Sequence, residues 1–469
     1  PRVTFASIAG RVGLRNLGNT CFMNSGLQCL CHIEPLVAYF LNGEFEREIN
    51  NTNEFGSKGE VARAFAKLMH SMWQSENSVC NPQDLHSKLA RFAPHLFENG
   101  DQQDVQEFLA FCIDGLHEDL NRVTQRPATI TSEQILADER LGREQGEEVA
   151  AALAWCRHLE HGKSILVDLM QGQLRSTVTC SQCQHTSRRF DPFLYLSVPV
   201  TKAMMHVTDC INKFLEEERL VGSEQWFCER CERKVDAMKK IDIWKLPPVL
   251  VLHLKRFEFD ASTLTYRKTE NRLSMKLSLM DFTDFCSSEQ RDGAVYNVVG
   301  VANHLGSFGS GHYTATCRAG GLGQNTWQHF DDALVTPYGG QNVVTKQTYM
   351  IFLMRDNDPK HITKNKRAGK RGSRPLLLRR QTLSVPENWP HPNASVAAVL
   401  RATGKGAMQE SFYRVGTASV ANGSSGADPA GTSYATTSVE VPVAKRRKTL
   451  HDFFVAGDIE TSCGKIERE

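Results

Sequence analysis

A cysteine near the start of the chain has the local sequence of a nucleophile. Residues 13–30 read GLRNLGNTCFMNSGLQCL, so Cys21 follows a Gly/Asn/Thr turn and opens an apolar helical run. A thiol attacks a carbonyl carbon well only as the thiolate, which the positive end of a helix dipole and a neighbouring imidazole both favour. The amides at that helix start can also hold the oxyanion that the attack creates. Cys21 is therefore a candidate nucleophile; a buried structural cysteine is the alternative.

Two segments far along the chain supply the partners that a nucleophilic thiol needs. Residues 309–316 read GSGHYTAT, and residues 327–332 read WQHFDD. His312 follows a glycine-rich loop and leads into a strand, which suits a general base that deprotonates Cys21 and later protonates the leaving amine. The carboxylate of Asp331 can accept from the second imidazole nitrogen and hold the ring in place. These three side chains predict a thiol protease, with Asp332 as a neighbouring carboxylate that polarises the site or a water.

These segments resemble the cysteine and histidine boxes of the ubiquitin-specific protease family, and the resemblance runs from about Gly10 to Asp356. It implies a deubiquitinase, a thiol isopeptidase that cleaves after the C-terminal glycine of ubiquitin on modified proteins. It also implies that Asn16 donates a side-chain hydrogen bond to the oxyanion. A narrow channel between Cys21 and the glycine-rich loop at 306–311 would exclude any side chain beside the scissile bond.

The same resemblance implies contacts with the tail of ubiquitin. Residues 100–108 read GDQQDVQEF, and the family's box assigns to Asp104 a charge-assisted hydrogen bond with a ubiquitin arginine. Without the resemblance, this segment is a polar helix start with Asp101 as the N-cap. Phe257 and Tyr313 resemble aromatic residues of the tail channel, and packing of strand ends is their alternative.

Four cysteines have the spacing of a structural zinc site. Cys180 and Cys183 form one Cys-x-x-Cys pair, Cys228 and Cys231 form another, and 44 residues separate the pairs. Two such pairs predict a closed tetrathiolate site for one Zn²⁺, with no open position for a water. Chance pairs of core cysteines are the alternative. Other cysteines lie singly in apolar stretches, which predicts a reducing compartment rather than disulfides.

The elements that must position these residues change character along the chain. Helical periodicity dominates the first part and β-rich runs the second, which predicts an α+β protein with segregated lobes. The resemblance implies the papain-like cysteine protease fold of ubiquitin-specific proteases, with a helical thumb, a β-rich palm and zinc-bearing β fingers at about 172–245. The pattern predicts helices at 21–41, 58–73, 84–92, 104–123 and 150–159 and strands at 172–180, 188–200, 239–244, 249–259, 295–304, 312–318 and 348–354.

Composition divides the chain into two parts. Residues 10–356 form the predicted catalytic domain, whereas 357–469 are rich in Ala, Gly, Ser and Thr and carry eight more basic than acidic residues, which predicts a disordered basic tail. The first residue is Pro rather than Met, so a processed or partial chain is expected. No run of eighteen apolar residues predicts a membrane span, and nothing indicates a nucleotide or redox cofactor.

Three segments of the tail predict partners and location. The basic clusters 364–371 and 445–448 resemble nuclear-import signals, so a nuclear protein with a cytoplasmic fraction is expected; solvated charge is the alternative. The segment Arg447–Phe454 reads RKTLHDFF and resembles the peptide by which replication and repair proteins bind the sliding clamp. Such peptides prefer Gln at the position where this chain has Arg447. No direct nucleic-acid binding is expected.

Two rival functions stay open at this stage. One is an inactive scaffold that binds ubiquitin without cutting it, although the intact set of Cys21, His312, Asp331 and Asn16 argues against it. The other is a protease for a different ubiquitin-like modifier.

Overall fold

The structure, a computed structural model, describes residues 10–97, 100–127, 132–260, 264–286, 294–307, 310–319 and 326–356. The predicted basic tail, its two import-like clusters and the clamp-binding-like segment all lie outside these ranges. The helices within them are α1 (Cys21–Leu30), α2 (Glu34–Leu41), α3 (Phe45–Glu48), α4 (Glu60–Gln74), α5 (Gln83–Phe92), α6 (Val105–Asp119), α7 (Ser132–Gln145), α8 (Glu147–His161), α9 (Ile165–Met170) and α10 (Val207–Phe214).

The strands form one large sheet and several small ones. The described strands are β1 (Gly13–Leu14), β2 (Val79–Cys80), β3 (Gly172–Cys180), β4 (Thr186–Phe193), β5 (Leu196–Pro199), β6 (Glu218–Leu220), β7 (Trp226–Cys228), β8 (Arg233–Val235), β9 (Ala237–Lys245), β10 (Val249–Lys255), β11 (Phe257–Asp260), β12 (Thr265–Lys268), β13 (Met280–Asp281), β14 (Val295–Ser307), β15 (Ser310–Ala319), β16 (Thr326–Asp331), β17 (Leu334–Tyr338) and β18 (Thr348–Arg355).

The large sheet, here called the palm, has the strand order β17-β16-β15-β14-β18-β10-β5, with β13 paired to β14. Successive residues of β10 point to opposite faces, as the pleat requires. The helices α1, α4, α5 and α6 are here called the thumb. Val249 and Val251 face the core that the palm shares with these helices. Leu250 and Leu252 face a second core, which the palm shares with α10. The thumb therefore packs on one face of the palm.

The four-stranded sheet β4-β3-β9-β6 and the hairpin β7-β8 form the fingers. Their long strands β3 and β9 pair from Gln173 and Lys245 near the palm to Cys180 and Ala237 at the far end. The fingers thus project from the base of the palm, as expected for a zinc-bearing lobe.

The predicted single helix 21–41 is two helices. Helix α1 ends at Leu30, and α2 begins at Glu34 with Pro35 in its first turn. Proline has no backbone N–H and clashes with the preceding turn, so it is accommodated at a helix start and not in an interior. The first helix therefore ends before Pro35, and a second helix begins at Glu34.

Two predicted strands are also divided. The run 188–200 forms β4 in the fingers and β5 in the palm, and the run 249–259 forms β10 and β11. The second break lies at Arg256, whose guanidinium is fully buried and donates to the carbonyl oxygens of Thr348 (2.6 Å), Thr269 (2.8 Å) and Asn271 (3.1 Å). An arginine that donates to three carbonyl oxygens, one at the start of β18 and two in the segment after β12, turns inward and interrupts the strand.

No helix in the described ranges combines the length and the apolar character needed to cross a bilayer. None of the thirteen cysteines in those ranges is joined in a disulfide.

A buried histidine joins the start of the described chain to the end of α1. The ring nitrogens of His32 lie 2.6 Å from the carbonyl oxygen of Gln28 and 2.9 Å from that of Gly10. Only the doubly protonated imidazolium can donate to both. Burial lowers the pKa of His32, but the Cys317 sulfur and the two carbonyls more than offset it, so the pKa lies above its ordinary value of 6.5.

This raised pKa predicts a pH-dependent stability. The folded protein binds the His32 proton more tightly than the unfolded chain, so the contribution is complete below pH 6.5 and is lost as pH rises through the folded pKa. Several other histidines, His304 among them, have lowered pKa values and contribute the opposite slope between pH 6 and pH 8. The His32 contribution is therefore read from the difference between two proteins: as pH rises from 6 to 8, the free energy of urea unfolding should rise more steeply in His32→Gln than in the wild type. Equal pH slopes for the two proteins would contradict the assignment.

Candidate active site

Cys21 lies at the first position of α1, where the sequence predicts it. Gly18 and Asn19 have φ values of +101° and +54°, so the preceding turn uses the left-handed region that Gly and Asn tolerate best. The Thr20 hydroxyl accepts from the Leu17 N–H at 2.8 Å and closes this turn. Only 3% of Cys21 is exposed. The thiol is therefore buried where α1 packs on β15 rather than open to bulk water.

His312 and Asp331 lie on the adjacent strands β15 and β16. The Nε2 atom of His312 lies 2.6 Å from Oδ1 of Asp331, and about two fifths of each side chain is exposed. Because the carboxylate accepts from Nε2, the proton of the neutral ring is held there, and Nδ1 is the nitrogen that can take a proton. The structure brings together the base and the carboxylate that the sequence predicts.

Asp332 faces a different set of partners. Its Oδ2 accepts from Nδ2 of Asn16 at 2.8 Å, and its Oδ1 accepts from Nδ2 of Asn24 at 2.7 Å. The Asn16 Oδ1 in turn accepts from the N–H groups of Gly18 (2.9 Å) and Thr20 (3.2 Å). Asp332 thus fixes the amide of Asn16 beside the start of α1, while Asp331 serves the imidazole.

Asp104 has two partners in the structure. It is the N-cap of α6, with Oδ1 accepting from the Gln106 N–H at 2.6 Å, so the expectation that Asp101 caps this helix is wrong. The second oxygen accepts from the hydroxyl of Tyr349 at 2.6 Å. Sequence reasoning missed Tyr349, because nothing in its strand distinguishes it from other buried aromatic residues. A capped and hydrogen-bonded carboxylate has a fixed orientation, as a binding group requires.

The two predicted channel aromatics lie in one cluster. The Phe257 ring is half-buried, 5.3 Å from the ring of His304 and 5.9 Å from that of Tyr349. The Tyr313 ring lies 4.7 Å from that of His304 and is only 4% exposed, which favours packing as its role. Its backbone N–H, however, lies 3.5 Å from the sulfur of Cys21.

A lysine supports the loop that precedes His312. Nζ of Lys268 lies 2.8 Å from the carbonyl oxygen of His304, 2.9 Å from that of Gly306 and 3.0 Å from Nδ1 of His304. Burial, helped by the lysine charge, lowers the pKa of His304 to about 4. The ring is therefore neutral at pH 7, and its Nδ1 accepts from the lysine.

The four fingertip cysteines form a compact group whose sulfur atoms all lie within 4.8 Å of one another. Two sulfur pairs, Cys180 with Cys231 and Cys183 with Cys228, are 3.9 and 3.6 Å apart. A tetrahedron with Zn–S bonds of about 2.3 Å has edges of about 3.8 Å, whereas a disulfide needs about 2.05 Å. The sulfur positions fit a tetrathiolate metal site.

The backbone around these cysteines is also shaped for a metal. Gln184 and Glu232, each directly after the second cysteine of a pair, have φ values of +58° and +54°. Each N–H donates back to the first cysteine's carbonyl oxygen, at 3.1 Å to Cys180 and 2.8 Å to Cys228. The two pairs therefore form matching turns that present both sulfurs to one point. The other grouping of potential metal ligands in the described residues, His312 with the two aspartates, is already explained by the hydrogen bonds above.

Comparison with known proteins agrees with this geometry. The profile of the family described as ubiquitin carboxyl-terminal hydrolase matches residues 12–353. Ubiquitin carboxyl-terminal hydrolase 2 of Homo sapiens is 40% identical over 354 residues, which cover 74% of this chain and 55% of that protein. Ubiquitin carboxyl-terminal hydrolase 21 of Homo sapiens is 33% identical over 364 residues, which cover 75% of this chain and 62% of that protein. The chain thus spans little more than half the length of these curated relatives.

Solved structures resemble the fold as well. The SAGA DUB module of Ubp8, Sgf11, Sus1 and Sgf73 bound to monoubiquitin matches with a TM-score of 0.57 at 25% identity, covering 76% of this chain and 72% of that one. The same module bound to ubiquitin aldehyde matches with a TM-score of 0.56 at 25% identity, with the same coverage. The predicted fold class, a helical thumb on a β-rich palm with β fingers, is confirmed.

Proposed function

Because the chain belongs to the ubiquitin carboxyl-terminal hydrolase family, we propose that it is a deubiquitinase that hydrolyses the bond after the C-terminal glycine of ubiquitin. The single observation that carries this proposal is the 2.6 Å contact of His312 with Asp331, on strands that pack against the helix whose first residue is Cys21. A thiol, a base and a carboxylate that orients the base suffice for acyl transfer.

In the proposed mechanism the Cys21 thiol loses its proton to Nδ1 of His312 and adds to the carbonyl carbon of the terminal glycine. Asn16 and the amides at the start of α1 stabilise the resulting oxyanion. The imidazolium then protonates the departing lysine amine, the carbon–nitrogen bond breaks, and a thioester remains on Cys21. A water, deprotonated by the same imidazole, attacks this thioester and releases ubiquitin with a free carboxylate. Asp331 orients the imidazole throughout, and Asp332 positions Asn16.

The separate partners of the two aspartates predict different losses. Asp331→Asn removes the group that fixes the ring tautomer, and Asp332 cannot replace it because both its oxygens are engaged by Asn16 and Asn24. We expect kcat to fall by about 10³- to 10⁴-fold. Asp332→Asn leaves the imidazole oriented but releases Asn16, so about a 10- to 100-fold loss is expected. Both are measured with a fluorogenic ubiquitin substrate at equal thermal stability.

The order of these effects decides the assignment. A larger loss in Asp332→Asn than in Asp331→Asn would assign the main carboxylate role to the second aspartate. Asn16→Ala combined with Asp332→Asn should cost little more than either change alone, because both are proposed to act through one oxyanion contact.

Asp104 is proposed to bind an arginine of the ubiquitin tail. Asp104→Asn keeps an oxygen that caps α6 and places its NH2 beside the Tyr349 hydroxyl, which can then accept instead of donate, while the charge is removed. Loss of a charge-assisted hydrogen bond that persists through the reaction should raise KM by about tenfold or more and change kcat little. Steady-state kinetics with the fluorogenic substrate measures this, and Asp101→Asn is the matched control. An unchanged KM would mean that Asp104 caps α6 and does not bind the ubiquitin tail.

The rival functions are separated by one panel of probes. Reactive probes built on ubiquitin and on several ubiquitin-like modifiers each carry an electrophile at the C-terminus, and only the preferred one should label Cys21 at low dose. A scaffold without activity would show no turnover of the fluorogenic substrate, and a protease for another modifier would react first with that modifier's probe.

We further propose that Cys180, Cys183, Cys228 and Cys231 hold one structural Zn²⁺ per chain. The proposal is supported by the sulfur separations and by the paired turns described above. With four thiolate ligands the ion has no site for water, so it supplies cross-linking of the fingers and no catalytic chemistry.

Nuclear location and binding to the sliding clamp are proposed from the tail sequence alone. A peptide covering residues 444–456 should bind purified clamp and lose binding when Phe453 and Phe454 are both replaced by Ala. Absence of binding at high micromolar concentration would end the clamp proposal. Deleting both basic clusters should move a tagged protein toward the cytoplasm, and an unaltered distribution would end the nuclear one.

A further inference from the structure

The carboxamide of Gln102 bridges the thumb, the strand that carries His312 and the thiol of Cys21. Its Oε1 accepts from the Gly311 N–H at 2.6 Å, and its Nε2 donates to the carbonyl oxygen of Gly311. The same Nε2 lies 3.3 Å from the sulfur of Cys21. One primary amide therefore satisfies both backbone groups of Gly311 while covering the thiol.

Gly311 belongs to a stretch of β15 with one free edge among the described residues. On one side β15 pairs with β14 through this stretch, with Gly306 opposite Gly311. On the other side it pairs with β16 only from Ala315 onward. The N–H and C=O of Gly311 and the N–H of Tyr313 point to that open side, since groups two residues apart point the same way. Cys21 lies along this edge.

A free strand edge beside a nucleophile is suited to an extended peptide. Such a segment adds to a sheet by main-chain hydrogen bonds, and a residue in register with Gly311 would accept from its N–H and donate to its C=O. The Gln102 carboxamide makes the same pair of bonds. It has the hydrogen-bonding groups of one peptide unit and stands where the last peptide unit before the scissile bond must lie for Cys21 to reach it.

The opposite side of this contact is rigid. A Cβ on Gly311 would lie 2.3 Å from the Leu305 carbonyl oxygen and 2.4 Å from Nε2 of His304, so the strand is packed tightly at this point. Lys268 binds the His304 and Gly306 carbonyls behind it. The group that can move is consequently the Gln102 side chain, which turns about three bonds.

We propose that the Gln102 carboxamide occupies the substrate's backbone-pairing site on β15 in the free protein, and that the C-terminal strand of the substrate displaces it. The proposal rests on the proposed function for the identity of that strand. Substrate binding exchanges two hydrogen bonds to Gly311 for two others, so the carboxamide opposes binding and shields the thiol until substrate arrives.

The test uses the full chain with Gln102→Ala, Gln102→Glu and the neighbouring Gln103→Ala as control. Three quantities are measured: alkylation of Cys21 by iodoacetamide, followed by mass spectrometry of its peptide; hydrogen exchange of the peptide containing Gly311; and kcat and KM for a fluorogenic ubiquitin substrate. The first two need no ubiquitin, so they decide the proposal even if the wild-type protein fails to hydrolyse ubiquitin.

Gln102→Ala should speed alkylation of Cys21 and exchange at Gly311 and should lower KM by roughly fivefold, the worth of one to two net hydrogen bonds, with kcat changed less. Gln102→Glu keeps the acceptor but places a negative charge beside the sulfur, so alkylation should slow and its pH profile should move upward. Gln103→Ala should match the wild type in all three. Unchanged alkylation in Gln102→Ala, or a raised KM, would overturn the proposal.

Discussion

Replacing Cys21 by Ser is expected to lower hydrolysis of a fluorogenic ubiquitin substrate by about 10⁴-fold or more while ubiquitin still binds. The hydroxyl has nearly the size of the thiol, so the buried start of α1 should fold unchanged, but it is far harder to deprotonate beside His312. Loss of a nucleophile in a hydrolase costs about 10⁴- to 10⁶-fold in kcat. His312→Ala should cost a similar factor, since the two residues act as a unit.

Binding should survive because the nucleophile and the proposed binding groups are different residues. Asp104 caps α6 and Phe257 is the first residue of β11, and neither depends on the sulfur for its position. Isothermal titration of ubiquitin into Cys21→Ser should give a dissociation constant within about threefold of the wild-type value, well under 1 kcal/mol. Equal losses of binding and turnover would contradict the separation, and Cys29→Ser on the same helix is the control for general damage.

Removing zinc is expected to unfold the tip of the fingers. The cluster at this end consists of Cys180, Cys228 and Val235, with Trp226 packed against it. So few side chains cannot stabilise the two-stranded β7–β8 sheet without a cross-link. Structural zinc binds with an apparent free energy of about 10–16 kcal/mol, which becomes folding free energy. Cys183→Ser or a strong chelator should raise hydrogen exchange across β7 and β8 and weaken ubiquitin binding.

The palm and thumb should remain folded in the same experiment. Their two large hydrophobic cores are separate from the small cluster at the fingertips. Iodoacetamide should therefore still modify Cys21. Elemental analysis should give one zinc in the wild type and in Cys112→Ala, a change of a buried thiol outside the group, and none in Cys183→Ser. A wild-type protein with intact fingers and no metal would refute the site.

What could be predicted from the sequence is what short segments determine. The turn before Cys21, the two Cys-x-x-Cys pairs and the alternating strands of the palm depend on neighbouring residues, and the structure has them where expected. Pairings across the chain could not be predicted in this way. Asn16 and Asp332 are 316 residues apart, and Gln102 and Gly311 are 209 apart, so no local pattern links them.

The sequence errors have the same origin. Pro35 alone could have divided the first helix, but the break at Arg256 depends on three carbonyls from two other segments. The roles of Asp331 and Asp332 also needed coordinates. Two adjacent carboxylates look equivalent in a sequence, whereas a φ of +49° at Asp332 turns the second one toward α1.

The contact between the start of the chain and Asp332 has a consequence for synthesis. The Leu14 N–H donates to the Asp332 carbonyl oxygen at 2.8 Å. A Cβ on Gly13 would lie only 2.3 Å from the carbonyl oxygen of Ala333, so the two segments are in close contact. During translation, at about 5–20 residues per second, the nucleophile leaves the ribosome long before the strands that complete its site. A polypeptide that stops before Asp331 carries the thiol without the carboxylate that orients its proposed base, so the proposed active site is complete only when nearly the whole domain has been made.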